Sequence, residues 1–191
     1  MITIIDYQAG NLRSVTNALD RLGESYKITD DPVIVARAEK VIFPGVGAAE
    51  PAMKILREKG LDKVLRKLKV PVLGICLGMQ LLFEESAEGD VSCLGVIPGK
   101  VKLLKNPKVP QIGWNAVKWA NSDLTKNIPN ESYFYFVNSY VAPLGEETSG
   151  ISFYGEMFSS VVQKENFYGV QFHPEKSGKV GLKLLANFLS L

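Results

Sequence analysis

Histidine is almost missing from this chain: its 191 residues include one. A metal cage built on imidazoles is therefore excluded, and any imidazole chemistry near neutral pH has a single candidate. Two cysteines are too few for a disulfide scaffold. Charge of one sign is lacking as well. The 22 Lys and Arg against 20 Asp and Glu leave a formal net charge of +2, which argues against a strongly basic nucleic-acid module or an acidic disordered tail. The longest apolar run, Val70 to Phe83, has 14 residues between Lys69 and Glu84, short of the about 20 that a membrane helix needs. The N-terminus carries no basic leader and meets Asp6 early. These absences predict a cytoplasmic chain with reduced thiols, no metal or cofactor, and no nucleic-acid or membrane partner.

What is present suits one packed domain spanning 1–191. Hydrophobic residues make up 46%, and a chain of this length buries roughly 70% of its unfolded surface without staples. Strands are expected at Ile2–Asp6, Tyr26–Thr29, Val41–Phe43 and Val72–Ile75. Helices are expected at Asn11–Leu22, at about Glu50–Leu68 with a break at Gly60, and at Leu77 to about Glu85. This alternation, with fully apolar strands, predicts an α/β fold whose central, mostly parallel sheet has helices on both faces. The second half reads as β-rich, with strands at Val101–Leu104, Ala116–Trp119, Tyr133–Val137, Ile151–Tyr154, Ser160–Gln163 and Tyr168–Phe172, and a closing helix at Lys179–Leu191. The lysine-rich stretches Lys59–Lys69 and Lys100–Lys108 read as solvated faces. Trp114 and Trp119 read as core or interface, and Cys93 as packing.

The sharpest chemical feature is Gly74-Ile75-Cys76-Leu77-Gly78, where an apolar strand runs straight into a helix. This is the pattern of a nucleophile elbow, with cysteine in place of serine. The turn is so tight that side chains two before and two after the nucleophile would collide, and a helix N-terminus favours thiolate over thiol. The proton carrier must be His173, in Phe172-His173-Pro174-Glu175. Pro174 is expected to hold the segment extended, where residues i and i+2 share a side, so Glu175 orients one ring nitrogen while the other faces Cys76. Phe43-Pro44-Gly45-Val46-Gly47 follows a strand but lacks the Gly-Lys-Ser/Thr ending of a phosphate loop. It suits an oxyanion hole built from amides of Val46 or Gly47 with that of Leu77.

Gly-Ile-Cys-Leu-Gly-Met-Gln around Cys76, together with Phe-His-Pro-Glu around His173, resembles the signature of class I (triad) glutamine amidotransferases. Ile5-Asp6-Tyr7 with Gly10-Asn11-Leu12-Arg13-Ser14-Val15, Phe43 to Ala48, Pro110-Gln111-Ile112-Gly113-Trp114-Asn115, Tyr135 to Tyr140 and His173 to Ser177 extend the likeness along nearly the whole chain. Together they resemble the glutaminase subunits of imidazole glycerol phosphate synthases, which serve histidine biosynthesis. The resemblance implies that Cys76 attacks the side-chain amide of glutamine, that His173 and Glu175 complete a triad, and that Gly47, Gln80, Ser139 and Tyr140 hold the substrate. It also implies that ammonia passes to a cyclase subunit of (β/α)₈-barrel fold in a heterodimer, with Asn11, Arg13, Trp114 and Lys176 at or near the docking face. Three positions depart from the family pattern: Asn138 where histidine is usual, Gln8 for a glycine, and Ala49 for a phenylalanine. The alternatives are a glutaminase subunit of another ammonia-using synthase, such as that for anthranilate or pyridoxal phosphate, and a catalytically idle interaction subunit.

Overall fold

The computed structural model describes residues 1–8, 12–120 and 122–191. In chain order the first half gives β1 (Ile2–Ile5), α1 (Leu12–Leu22), β2 (Tyr26–Thr29), α2 (Pro32–Val35), β3 (Lys40–Gly45), α3 (Ala49–Glu58), α4 (Leu61–Leu65), β4 (Val72–Cys76) and α5 (Leu77–Gln80). The second half gives β5 (Phe83–Ser86), β6 (Val91–Ser92), β7 (Ile97–Leu103), β8 (Gln111–Trp119), β9 (Ser132–Asn138), β10 (Tyr140–Val141), β11 (Thr148–Tyr154), β12 (Glu156–Lys164), β13 (Phe167–Val170) and α6 (Gly178–Leu189).

Nine strands form one sheet in the order β2-β1-β3-β4-β13-β12-β11-β8-β9. The five strands from β2 to β13 run parallel, as the alternation of strands and helices predicts, and the β-rich half extends the sheet antiparallel from β12 to β9. Alternate residues of the parallel strands feed two separate cores. Ile2, Ile4, Ile42, Leu73 and Ile75 face α1 and α6, meeting Leu19, Leu184 and Phe188. Ile5, Val41, Phe43 and Val72 face the other way, toward Val35, Met53, Leu56 and Leu65 of α2, α3 and α4. A parallel strand covered on both faces has no polar side to show, which is why Val72–Cys76 is buried throughout. No helix among the described residues is long and apolar enough to cross a membrane.

One expected helix is cut short. The reading of Leu77 to about Glu85 as helical fails after Gln80, because the next carbonyls are taken by tertiary partners. Leu81 O accepts from Leu94 N at 2.9 Å, Phe83 O from Gly95 N at 2.8 Å and Glu84 O from Cys93 N at 2.7 Å. The chain instead becomes β5 of a separate four-stranded sheet, ordered β10-β7-β5-β6. Gln8 adopts φ +63°, the left-handed backbone that glycine accepts freely. Its amide is held by Asp6 Oδ1 at 3.0 Å.

The parallel strands are also tied at their amino ends. Asn166 donates through Nδ2 to Leu68 O at 3.0 Å and Val70 O at 2.7 Å, and its own carbonyl accepts from Val72 N at 2.9 Å. Asn166→Ala removes the two side-chain bonds and is expected to cost about 2 kcal/mol, read as a lower urea midpoint with an unchanged slope. An unchanged midpoint would show that this tie carries no stability.

Candidate active site

Three neighbouring parallel strands, β3, β4 and β13, end at the same level. Gly45 pairs with Cys76 across β3 and β4, and Val170 pairs with Ile75 across β13 and β4. Cys76 therefore leaves the middle strand with the Gly45–Gly47 segment on one side and the Gln171–His173 segment on the other. Carboxyl ends of parallel strands are where α/β sheets open to ligands.

Cys76 has φ +53° and ψ −110°, a conformation that costs a non-glycine residue on the order of 1–3 kcal/mol. The surrounding glycines show what holds it there. A Cβ on Gly78 would stand 1.8 Å from the Phe43 carbonyl oxygen, and one on Gly74 would stand 2.8 Å from the Gly78 carbonyl. A Cβ on Gly45 would meet the Tyr7 hydroxyl at 2.0 Å. The expected collisions are thus real, and their partners are the neighbouring strand and the turn itself. The helix behind Cys76 is a single turn, Leu77–Gln80, so its dipole is small and the charge partner of the sulfur is His173.

His173 is buried and pairs through Nδ1 with Glu175 Oε1 at 2.8 Å, both side chains being less than 5% exposed. The expected pairing forms, but by a different local geometry. His173 itself is extended, but Pro174–Lys176 is a turn of 3₁₀ helix, so Glu175 reaches back across one turn and not along an extended segment. Ser177 fixes the backbone: its hydroxyl donates to His173 O at 2.6 Å and accepts from Tyr135 N at 3.0 Å. Burial opposes a charge on the imidazole, yet hydrogen bonds and charge from Cys76 and Glu175 outweigh it and carry the ring from the usual 6.5 to about 10. Glu175 Oε2 is buried with no partner among the described residues, which concentrates the carboxylate's interaction on the ring. A ring held toward its protonated form in this way is suited to protonate a leaving amine.

A cavity of about 250 Å³ opens beside Cys76 and His173, lined also by Val46, Gly47, Leu77, Gln80, Ser139, Tyr140 and Lys176. Every residue expected to form the oxyanion hole or hold substrate is thus brought to it. Gly47 has φ +106° with open space around it, so backbone conformation and not crowding calls for glycine. Gln80 donates from Nε2 to Tyr140 O and to Gln171 Oε1, both at 2.9 Å. Both amide protons are then used, and its oxygen is what remains for a ligand. Asn138 lines the cavity and spends its amide on Tyr140 O at 3.2 Å.

Of the residues expected at a docking face, Lys176 lies at the cavity, Trp114 is exposed with its ring edge-on to Tyr135, and Arg13 is exposed on α1, which packs beside the Pro174–Lys176 turn. Asn11 lies outside the described residues. Trp119 and Cys93 are buried, as packing requires.

Two participants escaped sequence reasoning. Glu88 lines the cavity, held by Ala49 N–H to Oε2 at 3.0 Å, and burial raises its carboxyl above the ordinary value against the pull of that bond. In the sequence it sits in an unremarkable acidic turn. Gln171 is fully buried with its amide toward Cys76 Sγ at 3.7 Å. Its signal was available: a lone amide between Val170 and Phe172 in an otherwise apolar strand end.

The single histidine makes the charge assignment directly measurable. Ring ¹⁵N signals of His173 are expected to remain those of an imidazolium through pH 8. In Cys76→Ser and Glu175→Gln the transition should move downward, because burial then meets less opposition. A wild-type ring that titrates near 6.5 would contradict the assignment.

Comparison with known proteins agrees with this geometry. The glutamine amidotransferase class-I family model matches residues 3–191. The chain is 47% identical over 194 residues to the imidazole glycerol phosphate synthase subunit HisH of Bacteroides fragilis, covering 100% of this chain and 99% of that one. It is 50% identical over 195 residues to imidazole glycerol phosphate synthase subunit HisH 2 of Legionella pneumophila, covering 100% and 98%. In fold it is similar to a glutamine amidotransferase crystal structure, with TM-score 0.78 at 21% identity over 100% of this chain and 98% of that one. It is also similar to PurLQS from Thermotoga maritima, with TM-score 0.73 at 18% identity over 99% and 97%. With its family model running from residue 3 to the last residue, the chain belongs to the class-I glutamine amidotransferases.

Proposed function

We propose that this chain is the glutaminase subunit of an imidazole glycerol phosphate synthase, with Cys76, His173 and Glu175 as its triad. The observation that carries the reading of the site is the strained Cys76 beside a buried His173–Glu175 pair at the mouth of a cavity sized for an amino acid. The subunit assignment rests on relatives of that name at 47–50% identity along the full chain. An idle interaction subunit has no physical need of a strained elbow and a buried charged pair.

The Cys76 thiolate attacks the carboxamide carbon of glutamine, forming a C–S bond and placing negative charge on the oxygen. We assign that oxygen to backbone amides at Val46 or Gly47 and at Leu77. Collapse breaks the C–N bond as the His173 imidazolium gives its proton to nitrogen, releasing ammonia. The neutral ring, oriented by Glu175, then takes a proton from the water that attacks the thioester carbon; collapse breaks the C–S bond, restores the Cys76 thiolate beside the imidazolium and frees glutamate. Gly47, Gln80, Ser139 and Tyr140 hold the substrate in this reading. Glu88 supplies the negative charge that suits an α-ammonium group.

The whole chain, 1–191, acts as one domain, since both of its halves contribute strands to one sheet. Its partner is a cyclase, to which we assign the (β/α)₈-barrel fold. The docking face is where Ile112, Trp114 and Tyr133 stand exposed on β8 and β9, an apolar surface of the kind that marks protein contacts. Across these strands Ile112 pairs with Val137, which lines the cavity, so the face runs up to the site where ammonia is made. Arg13 and Lys176 complete it in this reading. Both cysteines are free, in keeping with a cytoplasmic, reducing setting.

Glutamate release from glutamine should be slow for the chain alone and with the cyclase. It should rise on the order of 10- to 100-fold when the cyclase also holds its ribotide substrate. In that third state Glu88→Gln should raise the KM for glutamine about tenfold with a smaller loss in kcat. Equal rates in all three states would contradict activation through the partner, and no release in any state would contradict the glutaminase reading.

A further inference from the structure

The triad leaves a buried amide beside the nucleophile without a role. The Gln171 side chain is fully buried, immediately past the end of β13, and both ends of its amide are committed. Its oxygen accepts from Gln80 Nε2 at 2.9 Å, and its nitrogen donates toward Cys76 Sγ at 3.7 Å.

The direction of this chain of bonds follows from elementary chemistry. The Tyr140 carbonyl can only accept, so the end of Gln80 that meets it at 2.9 Å must be nitrogen. The same nitrogen meets Gln171, which must answer with its oxygen. The Gln171 NH₂ group then has no orientation left except toward the sulfur. One backbone carbonyl in the cavity wall thus fixes a donor on the nucleophile through two side-chain amides.

A donor at this place discriminates between states of the sulfur. A thiol is a weak acceptor, whereas a thiolate is a strong one, and hydrogen bonds to charged groups exceed neutral ones. Among the described residues, His173 and Tyr7 are set against Cys76, and Glu88, Tyr140 and Lys176 line the same cavity. Tyr7 offers no ready alternative, since its hydroxyl is buried with no partner among the described residues and lies against Gly45. Burial, and after it the charge on Cys76, hold the phenol well above its usual range.

We propose that Gln171 is the hydrogen-bond donor that holds and stabilises the Cys76 thiolate, aimed by the Tyr140 carbonyl through Gln80. This rests on the reading of Cys76 as the nucleophile. It assigns to Gln171 a role distinct from that of His173: the imidazole moves protons, whereas the amide holds the sulfur in the attacking position and gives no proton away.

The test is the pH dependence of Cys76 alkylation by iodoacetamide, followed by peptide mass mapping in the intact chain with no partner and no glutamine. Gln171→Met keeps the length of the side chain and removes the donor. Gln171→Asn keeps the amide but draws it back by one methylene, and covers the case in which the Met variant does not fold by circular dichroism. In either variant the alkylation midpoint should move up by about one pH unit. In the cyclase complex kcat should fall about tenfold, with KM for glutamine changed less than about twofold. A merely structural residue would leave the alkylation profile in place, so an unmoved midpoint in a folded variant overturns this inference and leaves the nucleophile reading standing. A wild-type Cys76 no more reactive than Cys93 at neutral pH would instead remove the nucleophile reading, and this inference with it.

Discussion

Contact between backbone and backbone at the end of β4 sets the geometry of everything around it. The turn after Cys76 lies so close to β3 that any side chain on Gly78 would enter the Phe43 carbonyl, and Gly74 is closed in by the same turn. With no room to relax, Cys76 is held at positive φ, and its sulfur is carried off the strand end. The β3-β4-β13 order then dictates its neighbours: a glycine-rich segment on one side and the histidine on the other. The strain is local and is offset by the packing of two apolar cores on opposite faces of the same strands.

Electrostatics follow from this placement. A buried imidazole by itself would lose its proton more easily than in water. Here hydrogen bonds and charge from Cys76 and Glu175 outweigh burial and hold the ring toward its protonated form. The sulfur in turn receives its stabilisation from the imidazolium and from a buried amide, because a one-turn helix supplies little dipole. The nucleophile comes from the end of β4, acid and orienter from one segment just after β13, and the Ser177 hydroxyl, bonded to His173 O and Tyr135 N, keeps that segment in place.

Much of this could be read from the chain itself, and the reasons differ by residue. Glycines at 74 and 78 betray a steric requirement that no other residue meets, so the elbow was visible. With one histidine in the chain, the acid–base group had no competitor. The alternation of apolar strands and amphipathic helices gave the parallel half of the sheet. What stayed hidden depends on distant partners. The residues after Gln80 look helical until Leu94, Gly95 and Cys93 claim their carbonyls. Glu88 sits in a turn like many solvated ones, and only the fold turns it toward the cavity. The His173–Glu175 pairing was foreseen for the wrong local reason, since a 3₁₀ turn and an extended segment both bring i and i+2 together here.

The central claim is that the strained Cys76, and no other group, makes covalent contact with glutamine. Its most direct test is acid-quench mass spectrometry of the cyclase complex, with ribotide bound, within the first turnover after mixing with glutamine. The account predicts a transient γ-glutamyl adduct on the peptide that carries Cys76, absent from the Cys93 peptide. It also predicts that the adduct is lost in Cys76→Ala with the fold intact. Turnover with no adduct at Cys76, or turnover that survives Cys76→Ala, would contradict it.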